Sequence, residues 1–385
     1  MSGLHVGVAN PFAELDLARL RTRTSAKWNY YPDDVLPLWV AEMDAFVAEP
    51  IVKAVTDALE NGDTGYPMGK NYPAAYASFA ADRWGWSPDT AAIAMVADVM
   101  SGVREVSRAI GAADAPIIVT PPVYPPFFGV AKTLGREVVN APLDAEFRLD
   151  ADTLEAAFKE ATAGGKTAVM LLCNPHNPTG TVHTRAELEM VASLARKYGV
   201  RVISDEIHSP LIMPTSKMVP YLSVAGSEPD FAVASASKGW NLAGFKAALV
   251  LAGADAADEL KAFGFHGAGH IAAIAHSAAL NDARDWLDAA IGGIDANRQL
   301  VGDLLERHMP AVGYQMPEAT YLAWLDCRDL GLGDNPSEAF LEQSRVALNS
   351  GLTFGAGGEG HVRLNMATSP EILEMAITRM AAARG

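Results

Sequence analysis

From about residue 90 onward, short apolar runs alternate with stretches of helical period. "AIAMV" (92–96) leads into "GVREVSRAIGA", and "PIIVT" (116–120) into "PPFFGVAKTLG". "TAVMLLC" (167–173) leads into "TRAELEMVASLARKYG". "VRVIS" (200–204), "FAVASA" (231–236) and "AALVLAG" (247–253) continue the series. Short, mainly apolar runs alternating with helices predict a mainly parallel, doubly wound α/β sheet covered on both faces. Residues 255–310 read as largely helical. "TYLAWLDC" (320–327) and "HVRLN" (361–365), with the helical ends around them, predict a smaller α+β domain. The expected organisation is an N-terminal segment 1–45 joining the small domain, a large domain 46–282, and the C-terminal part of the small domain 283–385. No internal repeat or low-complexity linker interrupts it.

In sheets of this kind ligands bind beyond the carboxyl ends of the strands. The polar clusters fall there: "CNPHNPTG" after one strand, "SDEIHSP" after the next and "SASK" after the following one. Three successive strands are thus expected to deliver Asn, Asp, His, Ser and Lys to one crevice.

Composition narrows the options. The chain has 385 residues, half of them hydrophobic, which suits a well-filled core and two domains. No apolar run approaches a membrane span, and the first twenty residues lack the pattern of a secretory signal. Cys173 and Cys327 are the only cysteines, so neither a disulfide framework nor a zinc pattern is expected, and a cytoplasmic setting is. A net charge of −16 argues against nucleic acid as a partner. It leaves room for a local basic pocket that takes a small anion.

The candidate chemistry starts at Lys238. An isolated lysine at a strand end is more often an ordinary surface charge. Here small residues flank it, and Ser235 and Ser237 bring hydroxyls beside it. An enclosed amine loses its proton more readily and can form a Schiff base with a carbonyl cofactor, of which pyridoxal phosphate is the usual one. Asp205 follows an apolar strand and needs a partner; a helix cap is the plain alternative, and a pyridinium N–H the functional one. "NPHNPTG" forms a turn, yet two Asn and a His exceed what a turn requires. Asn177 is placed to hydrogen-bond a phenolic oxygen.

The motifs "CNPHNPTG", "SDEIH" and "SASKGWNLAGFK", in this order and spacing, resemble the fold-type I pyridoxal-phosphate enzymes of the class I/II aminotransferase superfamily. The resemblance covers most of the chain and extends to "HVRLN". It implies the PLP-dependent transferase fold, with Lys238 as Schiff-base lysine and Asp205 as partner of the pyridine nitrogen. It also implies Asn177 as partner of O3′, Tyr124 stacked on the ring, and Arg363 paired with the substrate α-carboxylate, a task suited to a guanidinium fork. "RTRTSAKWNYYPDDVLPLWVAEMDAFVAEPI", "GDTGYP" and "ATYLAWLDCR" resemble the MalY/PatB-type carbon–sulfur lyases, the cystathionine β-lyase-like branch. His208 stands where aminotransferases of the superfamily usually carry Tyr, and the resemblance assigns it to the neighbourhood of O3′. Tyr66 resembles the tyrosine that reaches the neighbouring subunit's site, which implies a homodimer.

The phosphate site is less orderly. "VADVMSGVREV" resembles a loop entering a helix whose N-terminal amides bind phosphate. Val99 and Met100 would contribute backbone, and Ser235 a hydroxyl. Asp98 stands where many relatives have Gly, and it is expected to point away or cap the helix. Lys246 takes the place of an arginine and is expected to serve phosphate as a point charge. "GAGGEG" (355–360) imitates a dinucleotide fingerprint without its strand and helix context. "HGAGH" (266–270) offers two histidines without a third metal ligand.

The expected reaction is therefore α,β-elimination on an L-cysteine S-conjugate such as cystathionine, with Lys238 as anchor and base and with Tyr66 and Tyr124 near the reacting groups. An aminotransferase using the same residues is the alternative. A purely regulatory binding protein is a third reading, and no partner motif is visible for it.

Overall fold

The computed structural model describes residues 10–265 and 267–383. Its centre is a seven-stranded sheet: β1 Ile93–Val96, β2 Ile117–Val119, β3 Val138–Asn140, β4 Val169–Cys173, β5 Arg201–Asp205, β6 Phe231–Ala234 and β7 Ala248–Ala252. The strand order is β1-β7-β6-β5-β4-β2-β3. All pairs are parallel except those made by β7, which runs antiparallel to both neighbours.

The alternation of side chains along β4 shows why both faces must be covered. Val169, Leu171 and Cys173 pack with Val99, Val103 and Val106 of the helix Val99–Ile110. Met170 and Leu172 point the other way, onto Leu188, Val191 and Ala195 of the helix Arg185–Tyr198. Successive strand residues face opposite layers, and each fully buried aliphatic side chain contributes about 1.5–3 kcal/mol. The helix Arg185–Tyr198 starts at a capping box, in which Thr184 and Glu187 satisfy each other's backbone N–H. It ends at Gly199, whose φ of 70° suits a residue without Cβ.

The second sheet has four strands, β8 Gly313–Tyr314, β9 Leu322–Asp326, β10 Asn349–Ser350 and β11 His361–Asn365, all antiparallel in the order β10-β11-β9-β8. The N-terminal stretch packs here: Leu36–Pro37 pairs in parallel with Val346–Ala347, and Leu20, Trp28 and Leu38 share a core with Val301, Leu364 and Leu373. The 25-residue helix Arg284–His308 ties the two halves together. Its Leu287 and Ile294 join the core of Tyr76, Phe79 and Trp240, while Val301 and Leu304 join the small-sheet core.

The apolar-run pattern predicts six of the seven large-sheet strands. The seventh, β3, is a three-residue edge strand in which only Val139 is fully buried, too short to register as a run.

Candidate active site

A cavity of about 790 Å³ opens at the carboxyl ends of β4, β5 and β6. Cys173, Asp205 and Ser235 line it from those strand ends. Lys238 follows β6, Tyr124 follows β2, and the start of the helix Val99–Ile110 closes one side. The bent segment 39–41 and Arg363 of β11 close the other.

Lys238 donates from Nζ to the carbonyl oxygen of Ala41 at 2.8 Å. The Tyr321 hydroxyl donates to that same oxygen at 3.0 Å. Burial and the nearby Arg363 lower the Lys238 pKa to about 8. A buried ammonium is poorly solvated, so the neutral amine becomes accessible near neutral pH. Asp205 accepts the Ile207 N–H at 3.1 Å, and burial pushes its carboxyl up to about 7. A carboxylate held in such a place calls for a cationic or N–H partner.

Arg363 and Asn177 meet at the far wall. The guanidinium Nη1 donates to Asn177 Oδ1 at 3.0 Å, and Nη2 donates to the Trp39 carbonyl at 3.2 Å. Nε is buried without a partner among the described residues, so a guanidinium with five N–H groups keeps donors in reserve. Burial lowers its pKa to about 10, which leaves it cationic at neutral pH. Asn177 keeps its amide N–H groups as donors. His208 is buried, with its ring edge-on to Tyr321 at 6.2 Å and Nδ1 unpartnered among the described residues. Burial, with Lys238 and Arg363 nearby, holds its pKa well below the ordinary range, so the ring is neutral. Tyr124 stands edge-on to Phe127. Burial and the charge of Asp205 push its hydroxyl up to about 12.

The turn that carries Asn177 is tightly built. Asn174–Pro175 and Asn177–Pro178 are both cis, and Gly180 has φ +71°. A Cβ at Gly180 would lie 2.3 Å from Pro317 Cβ, so this position admits only glycine.

Around the helix start, Asp98 Oδ1 accepts the Ser101 N–H at 2.8 Å and caps the helix, one of the two orientations expected of it. Val99, Met100, Ser237 and Lys246 all line the cavity. Ser235 donates to the Ala247 carbonyl at 2.7 Å and accepts the Ser237 N–H at 3.1 Å. Lys246, expected to serve phosphate as a point charge, lies 3.1 Å from Asp98 Oδ2. Tyr66 is fully exposed and does not line the cavity of its own chain.

The rejected motifs fall elsewhere. "GAGGEG" joins the turn Gly351–Phe354 to β11 and opens no helix. His270 of "HGAGH" starts the helix His270–Asp282 and contacts Asp63 at 3.0 Å; His266 lies outside the described residues.

Sequence reading missed what the backbone of segment 39–43 contributes. Its carbonyls receive Arg363, Lys238 and Tyr321, and also Asn365 through Val40 and Glu42. Asn241 clasps Met43 through both N–H and C=O. Backbone acceptors leave no residue-type signal.

The donor set fits pyridoxal phosphate on its own chemistry. It offers a primary amine for a carbonyl, a buried carboxyl with no salt bridge among the described residues, an amide donor lining the same cavity, and a helix N-terminus for an anion.

Comparison with known proteins identifies the family. Residues 33–380 match the aminotransferase class I and II family. A candidate cystathionine beta-lyase of Mycobacterium leprae is 49% identical over 393 residues, covering 97% of this chain and 98% of that protein. The cystathionine beta-lyase of Corynebacterium glutamicum is 33% identical, covering 95% of this chain and 98% of the relative. The crystal structure of a candidate PLP-dependent beta-cystathionase from Corynebacterium diphtheriae superposes with a TM-score of 0.89 at 34% identity, covering 96% of this chain and 98% of the other. The chain therefore belongs to the class I and II aminotransferase family.

Proposed function

We propose that this protein is a pyridoxal-phosphate-dependent carbon–sulfur β-lyase that converts L-cystathionine or related L-cysteine S-conjugates to a thiol, pyruvate and ammonia. The observation that carries the reading is the convergence of Lys238, Asp205 and Arg363 on one cavity, in a chain whose relatives are named cystathionine beta-lyase.

When bound, pyridoxal phosphate supplies a carbonyl that captures amines and a ring that accepts electrons from a substrate Cα. The residues that would hold it are Lys238 at its carbonyl, Asp205 at its ring nitrogen, Asn177 and His208 near its phenolic oxygen, and Tyr124 at its ring. Ser235, Ser237 and the first amides of the helix at Val99 and Met100 would receive its phosphate.

The protein's own residues then divide the work. Arg363 binds and orients the substrate α-carboxylate with its remaining donors. Lys238 Nζ removes the Cα proton, for which a neutral amine is needed; its pKa of about 8 makes that form accessible. Asp205 holds a proton-bearing nitrogen against its carboxylate. Tyr124 keeps its proton at neutral pH and can serve as a donor.

A homodimer accounts for Tyr66. This ring is fully exposed and Met68 beside it is 83% exposed, an arrangement that a neighbouring subunit would cover. In that assembly Tyr66 contacts the partner's cavity. The protein works in the cytoplasm on a small amino acid. No described helix is long and apolar enough to cross a membrane.

An aminotransferase would share every residue up to Cα deprotonation. A neutral His208 in place of a tyrosine, and the names of the relatives, favour elimination. The test is incubation with L-cystathionine and an assay of pyruvate and free thiol. Amino-group exchange with a 2-oxo acid, without either product, would overturn the lyase reading.

A further inference from the structure

The helix Val99–Ile110 opens on the cavity with a carboxylate at its N-cap. That is an awkward neighbour for an anion. The first N–H groups of a helix and its dipole attract phosphate, but Asp98 already takes the Ser101 N–H with Oδ1. Burial opposes its charge, yet the Ser101 N–H and Lys246 together hold its carboxyl below the ordinary range. Asp98 is therefore a full negative charge at the mouth of the phosphate site.

Its other oxygen faces Lys246. Nζ sits 3.1 Å from Oδ2, although 148 residues separate the two in the chain. Lys246 reaches it from the stretch between Lys238 and β7, and both side chains line the same cavity. The lysine side chain is 69% exposed and the aspartate 31%, so their contact is an open ion pair at the entrance.

We infer that Lys246 serves the cofactor phosphate indirectly, by cancelling the charge of Asp98, and that the pair acts as one neutral unit that lets the helix N-terminus receive an anion. The inference rests on the reading that the site takes pyridoxal phosphate. It assigns to Lys246 a positioning and screening role that differs from direct phosphate binding. Screening predicts that Lys246→Met costs much less affinity in the Asp98→Asn background than in wild type, and direct contact predicts the same cost in both.

The experiment measures pyridoxal phosphate affinity by absorbance titration of cofactor-stripped, full-length protein, with no turnover involved. Lys246→Met leaves Asp98 uncompensated and should weaken binding roughly three- to tenfold, the scale for charges near a protein surface. Asp98→Asn, which keeps a good N-cap, should bind at least as tightly as wild type. The double variant Asp98→Asn/Lys246→Met should recover at least half of the lost affinity on a logarithmic scale. Asp98→Ser, another good cap, repeats the double variant in case the asparagine form folds poorly. A cost of Lys246→Met in the Asp98→Asn background equal to its cost in wild type, or a double variant weaker than Lys246→Met alone, would overturn the inference, because Lys246 would then be contacting the phosphate itself. Wild-type protein that takes up no cofactor would overturn the functional reading and this inference with it. Failed rescue in a protein that binds cofactor would overturn this inference alone.

Discussion

Arg363 on β11 donates to Asn177 on the turn after β4 across 3.0 Å, although the two are 186 residues apart in the chain. That one contact joins the small sheet to the large one at the cavity wall. It aligns the guanidinium expected to hold the substrate carboxylate with the amide expected to face the cofactor. On the proposed function this contact would link substrate binding to cofactor orientation, and the consequences can be measured.

Replacing Arg363 with lysine keeps a positive charge but removes the fork that serves Asn177, Trp39 and a carboxylate together. KM for L-cystathionine should rise about ten- to a hundredfold, the range expected for losing charge-assisted hydrogen bonds. The change in kcat should be smaller. Steady-state kinetics on the purified variant checks the split.

Asp205 carries a stability signature beside its proposed chemical role. Its folded-state pKa of about 7 lies above the ordinary 3.8. The folded protein then holds a proton that the unfolded chain has lost, and stability falls as pH rises from 3.8 to about 7. In cofactor-free protein, Asp205→Asn should match wild type in thermal midpoint near pH 4 and exceed it by a few degrees at pH 8. The same variant should lose most lyase activity. Thermal scans at the two pH values test the first half and a pyruvate assay the second.

His208 is neutral because burial and two nearby cations depress its pKa well below the ordinary range. It does not change charge between pH 6 and 9. His208→Gln should lower the height of the kcat–pH profile and leave the position of its acid limb unchanged. A displaced limb would show that His208 titrates in the working range.

Tyr66 offers a test of subunit sharing. Tyr66→Ala and Lys238→Ala homodimers should each be nearly inactive. Unfolding and refolding an equal mixture would place one intact site in each mixed dimer and restore about a quarter of wild-type activity. Absence of any recovery, with dimer exchange verified by mass, would mean that Tyr66 acts within its own chain or not at all.

Much of this was legible in the sequence, and the reasons are physical. "TAVMLLC" and "VRVIS" are mainly apolar because β4 is buried throughout and β5 from Val202 onward. Asn177, Asp205 and Lys238, which follow or end three successive strands, are polar and line the cavity. What stayed hidden depends on distance or on the backbone. Nothing in "PLWVAEMD" announces that the Ala41 carbonyl receives both Lys238 and Tyr321. The Asp98–Lys246 contact is made only once β7 lies beside β1. The strand β3 and the two-residue strands of the small sheet are too short for any periodicity. Tyr66 is fully exposed in the single chain, so its proposed role across a subunit boundary is not visible from one chain.

The central claim is that Lys238 drives carbon–sulfur bond cleavage in this cavity. The most direct measurement is release of pyruvate and thiol from L-cystathionine by wild-type protein loaded with pyridoxal phosphate, beside Lys238→Ala treated identically. Equal amounts of pyruvate and thiol from the wild type, with a loss of at least about a thousandfold in the variant, is the predicted result. Pyruvate and thiol release that survives in the variant, or a wild type that only exchanges amino groups with a 2-oxo acid, would contradict it.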